Sequence, residues 1–437
     1  MGTDADSGGP APDRPNVVQI LTDQQHAWAL GAADPSFDTP HLDALAARGT
    51  RFTGAHCTHP QCSPSRSSLV TGRFPHQTGV ETIPNWGPFD LDADAPSVGR
   101  AFRDAGYRTA WFGKWHLGMD NLEPLGWETV DRIEHNRAEP PDHDGTYGDL
   151  DDRATDAAVE FVRDGPEPFF ATLSLNLPHP PFYEDPATAS RSSPAEMPLP
   201  VTFDDDLDDK PAFHAERQAD CDLDPEATRT VAHQYRTMVS KVDDCVGRLL
   251  AALRAAGIRE ETAVVFTSDH GDMQGAHGLD LKGVLAYDEL LRVPLLVDVP
   301  WLDPPRDEIT DLVSLAGVPG TLCDAAGLDH DVAGGSLLDA LARSSPPADD
   351  RVFFEHRYAY WGEHPYRGVR TRDWKYVDYL ADDAAELYDV SADPLERQNR
   401  ADDPAHADVR ASLSETVRDW WQRTGGDDVD WAAPLFE

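Results

Sequence analysis

Cys62-Ser63-Pro64-Ser65-Arg66, running on through Ser67-Ser68-Leu69-Val70-Thr71-Gly72-Arg73, carries the clearest chemical content of this 437-residue chain. Proline is best tolerated in the first turn of a helix, so Cys62 is expected at or just before a helix N-terminus. Free backbone N–H groups and the positive end of the helix dipole there favour an anion and polarise a nucleophile. Arg66, one turn on, can offer a planar fork to an anionic group or oxyanion. Taken alone, the same residues also describe a buried cysteine plugging a helix start. Other reactive groups follow apolar runs: Asp23, Gln24 and Gln25 after Asn16 to Thr22, Lys114 and His116 after Tyr107 to Phe112. His179 follows Phe169 to Leu175, and Asp269, His270 and Asp272 follow Thr262 to Thr267, with Lys282 in the loop beyond.

Those groups converge only if the apolar runs are strands of one sheet, because open α/β sheets bind ligands outside their carboxyl ends. The chain supports that arrangement. Over its first 330 residues it repeats an amphipathic helix, a glycine and an apolar strand, with Thr39-Pro40 opening a helix through a capping hydroxyl and Gly49 closing it. Ser97 to Ala105 reads as a second helix, and Thr228 to Ala256 as a long third one. Val293 to Val299 reads as a further strand. Alternating helices and continuous apolar strands imply an α/β fold, with a mostly parallel central sheet covered on both faces. The Pro/Asp-rich stretch Arg343 to Arg351 is the expected linker. It separates a catalytic unit over residues 1–345 from a small antiparallel unit over 351–437, with strands at Val352 to Glu355, Tyr366 to Thr371, Trp374 to Asp378 and Glu386 to Asp389. A helix from Asp403 to Arg423 ends that unit. Glu184 to Asp224 lacks periodicity and reads as a surface excursion.

Composition excludes several function classes. Lys+Arg number 37 and Asp+Glu 79, for a net charge of −42. Phosphate binding begins with a basic patch, so no nucleic-acid partner is expected. No apolar run approaches the ~18 residues that span a bilayer, so no membrane partner is expected. Met1 to Pro15 has neither a basic n-region nor an apolar h-region, which leads to the expectation of a cytoplasmic protein. Only five basic residues are lysine: Lys114, Lys210, Lys241, Lys282 and Lys375. Acid-rich, lysine-poor composition points to a halophilic protein, for in molar salt a Debye length of ~3 Å hides surface self-repulsion. Five cysteines without CxxC or Cys/His clustering argue against disulfides and structural zinc.

The motif C-x-P-S-R resembles the hallmark of the type I, formylglycine-dependent sulfatases of the alkaline phosphatase superfamily. So do NVVQILTDQQ, TPHLDALAARGTRFTGAHCTHPQCSPSRSSLVTGRFPHQTGV, GYRTAWFGKWHLG, NLPHPPF, TSDHGDMQGAHGLDLKG, and, near the end, RGVRTRDWKYVDY with ELYDVSADPLERQN. The resemblance runs from about Asn16 to Asn399, and the charge composition resembles that of a haloarchaeal member. It implies an alkaline-phosphatase-like α/β sandwich with a smaller C-terminal sheet. It further implies that a maturation enzyme oxidises Cys62 to formylglycine, and that Asp23, Gln24, Asp269, His270 and the modified Cys62 hold one divalent cation. Ca²⁺ is the first choice over Mn²⁺ or Mg²⁺, although Gln24 and His270 replace an acid and an asparagine found in many relatives.

By the same resemblance, the aldehyde is hydrated to a gem-diol, one hydroxyl attacks sulfur in line, and the other later expels sulfate. His116 is assigned to orient and deprotonate the diol, with Arg66 and Lys114 stabilising its charge. His179 and Lys282 bind the sulfuryl oxygens and protonate the leaving oxygen. His76 and His277 are expected to support these residues rather than react. The expected substrate is a small-molecule or carbohydrate sulfate ester, with stacking surfaces at Tyr358, Tyr360 and Trp361. Substrate loops are expected at His135 to Leu150, Glu184 to Asp224 and Arg357 to Pro365. Two alternatives stand beside this reading: a phosphonate monoester or phosphodiester hydrolase of the same superfamily, and a non-catalytic anion-binding relative whose Cys62 is never converted.

Overall fold

The structure, a computed structural model, describes residues 12–132, 146–189, 193–302, 307–330, 334–343, 347, 350–359, 362–381 and 384–429. Tyr360 and Trp361, together with parts of the proposed linker and of the 135–150 loop, lie outside the described residues.

Eight strands build the main sheet: β1 (Asn16–Thr22), β2 (Thr50–His56), β3 (Arg108–Gly113), β4 (Thr129–Arg132), β5 (Phe169–Ser174), β6 (Thr262–Ser268), β7 (Leu295–Asp298) and β8 (Glu308–Ser314). Their order is β4-β3-β5-β1-β6-β7-β2-β8. All neighbours pair in parallel except β7, which runs antiparallel to both β6 and β2. β1 and β6 are buried at every position, which is why both read as continuous apolar runs. Side chains alternate across β1: Val17 and Leu21 join one core, Val18 and Ile20 the other. The second core is closed by the helices Pro40–Arg48, Tyr147–Asp164 and Pro225–Ala255. The first is closed by Cys62–Thr71, Val98–Asp104 and Val318–Ala325.

A second sheet follows as an antiparallel meander of β9 (Arg351–His356), β10 (Tyr366–Thr371), β11 (Trp374–Tyr379) and β12 (Ala385–Asp389). One face packs Val369, Tyr376 and Leu387 against Leu413 and Val417 of the helix Ala407–Arg423. Phe354, Tyr366, Val377 and Tyr379, on the other, enter the core of the main sheet.

Some local expectations need correction. The Thr39 hydroxyl does not cap the helix at Pro40; it accepts from Gly31 N at 2.7 Å, while Asp243 reaches across to accept from Leu42 N at 2.7 Å and His41 N at 3.1 Å. A carboxylate from the neighbouring helix serves two orphan donors where the hydroxyl would serve one. The long helix begins at Pro225, capped by Asp224, rather than at Thr228. The excursion Glu184 to Asp224 contains the helix Ala212–Cys221, and the stretch from His135 to Leu150 ends inside the helix Tyr147–Asp164.

Candidate active site

Four adjacent strands, β3, β5, β1 and β6, end at the same edge of the sheet. Thr22 pairs with Ser268 in the last register position, so the next residues, Asp23 and Asp269, emerge side by side. Gly113 pairs with Ser174, so Lys114 leaves β3 beside the exit of β5. The helix Cys62–Thr71 starts over this edge, with Pro64 in its first turn and every residue buried. A parallel sheet with helical crossovers thus delivers the carboxylates, the ammonium and the helix N-terminus to one place.

The groups that meet there are buried and charged. Ligand atoms of Asp23, Cys62, Asp269 and His270 lie within 4.8 Å of one another. Cys62 Sγ is 3.2 Å from His270 Nε2, 3.7 Å from Asp23 Oδ1 and 2.8 Å from Lys282 Nζ, which donates to it. Lys114 Nζ pairs with Asp23 Oδ2. Arg66 donates from Nε to Asp269 Oδ2 at 2.7 Å and from Nη2 to Asp23 Oδ2 at 3.2 Å. Its Nη1 donates to Lys114 O at 3.1 Å and Ser174 Oγ at 2.8 Å. The fork therefore braces the two carboxylates against the ends of β3 and β5.

Gln24 has left-handed backbone (φ 68°) and donates its N–H to Asp269 Oδ1 at 3.1 Å, while Tyr235 OH donates to its carbonyl at 3.0 Å. Its side-chain nitrogen donates to Asp272 Oδ2, and its buried Oε1 has no hydrogen-bond partner among the described residues. His116, also left-handed (φ 62°), is buried two residues beyond Lys114. Strained backbone of this kind persists only where its surroundings over-determine it. His179 is half-buried and donates from Nδ1 to Pro180 O at 2.6 Å, with its ring 6.4 Å from that of Tyr147. The turn before it hangs on Asp151, which accepts from Asn176 N at 2.8 Å and Leu177 N at 2.9 Å.

Electrostatics follow from this crowding. Burial pushes the Asp23 carboxyl up, but Lys114, Lys282, His179 and Arg66 outweigh it and hold the group well below the usual carboxylate range. Burial and Asp23 both push the Cys62 thiol up, and Lys114, Lys282 and His270 more than reverse them. His270 is disfavoured as a cation by burial, yet Asp269 and Cys62 raise it above the ordinary histidine value. Burial, with a smaller push from the Asp280 carboxylate, raises the Asp272 carboxyl to about 6, against the pull of its hydrogen bonds from Gln24 and Gln274.

The donor set fits a hard divalent cation that tolerates nitrogen. Two carboxylates supply charge, and Gln24 offers an unpartnered buried oxygen. His270 donates from Nδ1 to Gly271 O at 2.8 Å, which leaves the neutral ring a lone pair on Nε2, facing Cys62 and both carboxylates. A field that favours a proton on His270 also favours a metal ion in its place.

The structure thus brings Asp23, Gln24, Cys62, Arg66, Lys114, Asp269, His270 and Lys282 into one contact network, with His179 acting on it through the field at Asp23. Four residues that matter here had no part in the sequence reading: Ser65, whose Oγ donates to Asp269 O at 2.5 Å, Ser174, Asp151 and Tyr235. Asp272, placed with the reactive groups by its position after the strand, orients the Gln24 side chain. His76 lies elsewhere, with its Nδ1 2.6 Å from Glu355. His277 stacks on Tyr287 at 4.2 Å.

The sequence model of the sulfatase family matches residues 15–328, and that of the N-sulphoglucosamine sulphohydrolase C-terminal region matches residues 275–423. A Delta 4,5-hexuronate-2-O-sulfatase of Bacteroides thetaiotaomicron is 30% identical over 453 residues, covering 95% of this chain and 91% of that protein. An ulvan-active sulfatase of Formosa agariphila is 28% identical over 436 residues, covering 92% and 80%. Among solved structures, a 2-O GAG sulfatase superposes with a TM-score of 0.80 at 26% identity, over 95% of this chain and 93% of that one.

Proposed function

This chain belongs to the sulfatase family and hydrolyses sulfate esters, and from that premise we propose that its substrates are sulfated carbohydrates. One observation carries the reading of the site: Asp23, Cys62, Asp269 and His270 converge within 4.8 Å, with Lys282 Nζ 2.8 Å from the Cys62 sulfur. Asp23, Gln24, Asp269 and His270 would hold a divalent cation, for which Ca²⁺ suits the oxygen-rich set. When bound, it supplies a Lewis acid and lowers the pKa of an oxygen nucleophile. Formylglycine, general to the family, would put a hydrated carbonyl oxygen in place of the Cys62 thiol.

The chain's own residues do the rest. Arg66 commits its guanidinium to both carboxylates and to the strand ends, so its task is to hold the cation's ligands in register. Lys114 neutralises Asp23 and keeps it ionised. Lys282, with 11% of its side chain exposed, and half-buried His179 stand at the open side. They bind the sulfuryl oxygens, and His179 Nε2 or Lys282 passes a proton to the leaving alcohol oxygen. His116 orients the nucleophile and takes up its proton. Against a net charge of −42, this pocket sets two lysines and an arginine around two carboxylates, a cationic spot that selects an anionic group.

The carbohydrate reading is supported by Tyr147, whose ring flanks His179 and whose hydroxyl is pushed to about 12 by burial first and Asp23 second. An aromatic face at the leaving-group side suits a sugar ring. It is supported as well by the names of the two relatives and the GAG sulfatase described above. The test has two arms. Intact-mass measurement should find Cys62 lighter by roughly 18 Da, an oxidation outside the usual thiol ladder. Turnover of 2-O- and 6-O-sulfated monosaccharides should exceed that of choline sulfate and 4-nitrophenyl sulfate in kcat/KM. Preference for choline sulfate or the aryl ester would overturn the carbohydrate assignment, and an unconverted thiol in active enzyme would overturn the mechanism.

A further inference from the structure

Lys282 is presented by strained chain. Leu281 before it (φ 58°) and Gly283 after it (φ 128°) both occupy left-handed backbone, a conformation that costs free energy at leucine. Such a segment holds its shape only if it is gripped on both sides. Upstream, Met273 N donates to Leu281 O at 2.9 Å. Downstream, the grip comes from the small C-terminal sheet and residues packed with it, and it falls on four consecutive residues. Tyr366 OH of β10 donates to Leu285 O at 3.1 Å. Lys375 of β11 donates to Ala286 O at 2.6 Å. Tyr287 OH meets His214 Nδ1 at 3.1 Å, and His214 Nε2 lies 3.2 Å from Glu386 of β12. Asp288 pairs with Lys375 at 3.1 Å and donates its N–H to Glu396 at 2.9 Å. Leu285 is three residues past Lys282, no more than about 10 Å of chain.

Lys375 is the central post of this arrangement, and its residue type is informative. It is fully buried, and its ammonium faces three acceptors: Ala286 O, Asp288 Oδ1 and Glu396 Oε1. An ammonium has three donors in tetrahedral array, whereas a planar guanidinium has five in a fork. In a chain where only five of 37 basic residues are lysine, lysine stands where this geometry requires it. The main sheet supplies the cation ligands, and the helix Cys62–Thr71 over its edge supplies the nucleophile; the C-terminal sheet sets where one cationic group of the pocket stands.

We propose that Lys375, with Tyr366, is a positioning residue of the reaction: the C-terminal sheet clamps Leu285 to Asp288 and thereby fixes the Lys282 ammonium against position 62. This rests on the role given above to Lys282 at the sulfuryl group and leaving oxygen. A misplacement on the order of 1 Å at a reacting group can cost about 100-fold in rate.

The test is a double-mutant cycle on the full chain, with 4-nitrophenyl sulfate and phenyl sulfate as probes, whose phenols differ in acidity. Lys375→Met should lower kcat about 10- to 100-fold with KM changed less, and Tyr366→Phe, which deletes one hydroxyl, about 2- to 5-fold. Both losses should be larger for phenyl sulfate, the poorer leaving group, as expected if proton delivery is displaced. In a Lys282→Ala background each loss should shrink to within about twofold, because neighbours acting through one group are not additive. Losses of equal size in both backgrounds, or equal for both esters, overturn the proposal. If Lys375→Met does not fold, Tyr366→Phe carries the same comparison. Lys282→Ala alone at wild-type rates would instead overturn the role of Lys282 and the proposal with it.

Discussion

Arg66 joins both carboxylates of the proposed cation site through two nitrogens, Nε and Nη2, of one planar group, which an ammonium cannot imitate. Arg66→Lys is therefore expected to weaken the cation rather than the substrate, by about 10- to 100-fold in affinity. Titration of the chelated enzyme with Ca²⁺ checks this: half-maximal activity should need correspondingly more cation, and an unchanged midpoint would refute the bracing role. At the same scale, His356 is one of several buried histidines that the fold holds neutral. Burial first, and then His364, push its pKa down to about 3, even though its Nδ1 donates to His364 O at 3.3 Å. A histidine kept neutral in the fold but protonated below pH ~6.5 when unfolded stabilises the protein fully above that pH. Its contribution is lost as pH falls toward 3. Between pH 6.5 and 4.5 it removes about 2–3 kcal/mol from unfolding free energy. His356→Phe keeps the stack on Tyr366 (5.2 Å in the native chain) and should flatten the acid side of the stability profile in denaturant melts. An unchanged slope would show that the group does not titrate in this way.

At the scale of elements, Asp151 shows how a helix places a loop. It sits one turn into the helix Tyr147–Asp164 and accepts from Asn176 N, Asn176 Nδ2 and Leu177 N, just ahead of His179. Asp151→Asn halves the accepting capacity and leaves buried N–H groups unpaired, at about 1–3 kcal/mol. Unfolding free energy should fall by that amount and kcat severalfold, since His179 loses its anchor; a stable variant with native kcat would detach the helix from catalysis. Nothing in the sequence marked Asp151, because its partners are 25 residues away and meet it only in the fold. The strands reveal the same boundary. Buried runs such as Asn16–Thr22 and Thr262–Ser268 were legible since both faces are apolar. β8, with its alternating exposed and buried residues, and short exposed β4 at the opposite edge escaped notice. β2 was missed too, with Arg51, Thr53 and Gly54 breaking its apolar pattern. The reactive set was readable because residues just past a strand share an edge. The orientation of Gln24 by Asp272, and the clamp of the second sheet on Leu285 to Asp288, depend on contacts between distant segments and left no local trace.

For the molecule as a whole, the sulfate pocket and the surface have opposite signs. With 37 basic and 79 acidic residues, the net charge of −42 repels any anionic ester that approaches, while in the proposed site Lys114, Lys282 and Arg66 would attract it only at close range. Salt separates the two effects. The Debye length is ~30 Å at 0.01 M and ~3 Å at 1 M, so added salt erases long-range repulsion between exposed charges and screens buried groups much less. For a sulfated sugar of net negative charge, kcat/KM is expected to rise severalfold from ~0.05 M to ~1 M KCl, through KM, with kcat nearly constant. Choline sulfate, a zwitterion without net charge, provides the internal control and should show a flat profile. An enzyme that steers its anionic substrate with a positive surface gives the reverse, a fall with salt. Thermal unfolding should shift upward over the same range, because the fold itself is relieved of self-repulsion. A kcat/KM that declines with KCl for the anionic sugar would mean that the pocket, not the surface, governs encounter, and would remove the physical basis for reading this composition as an adaptation to salt.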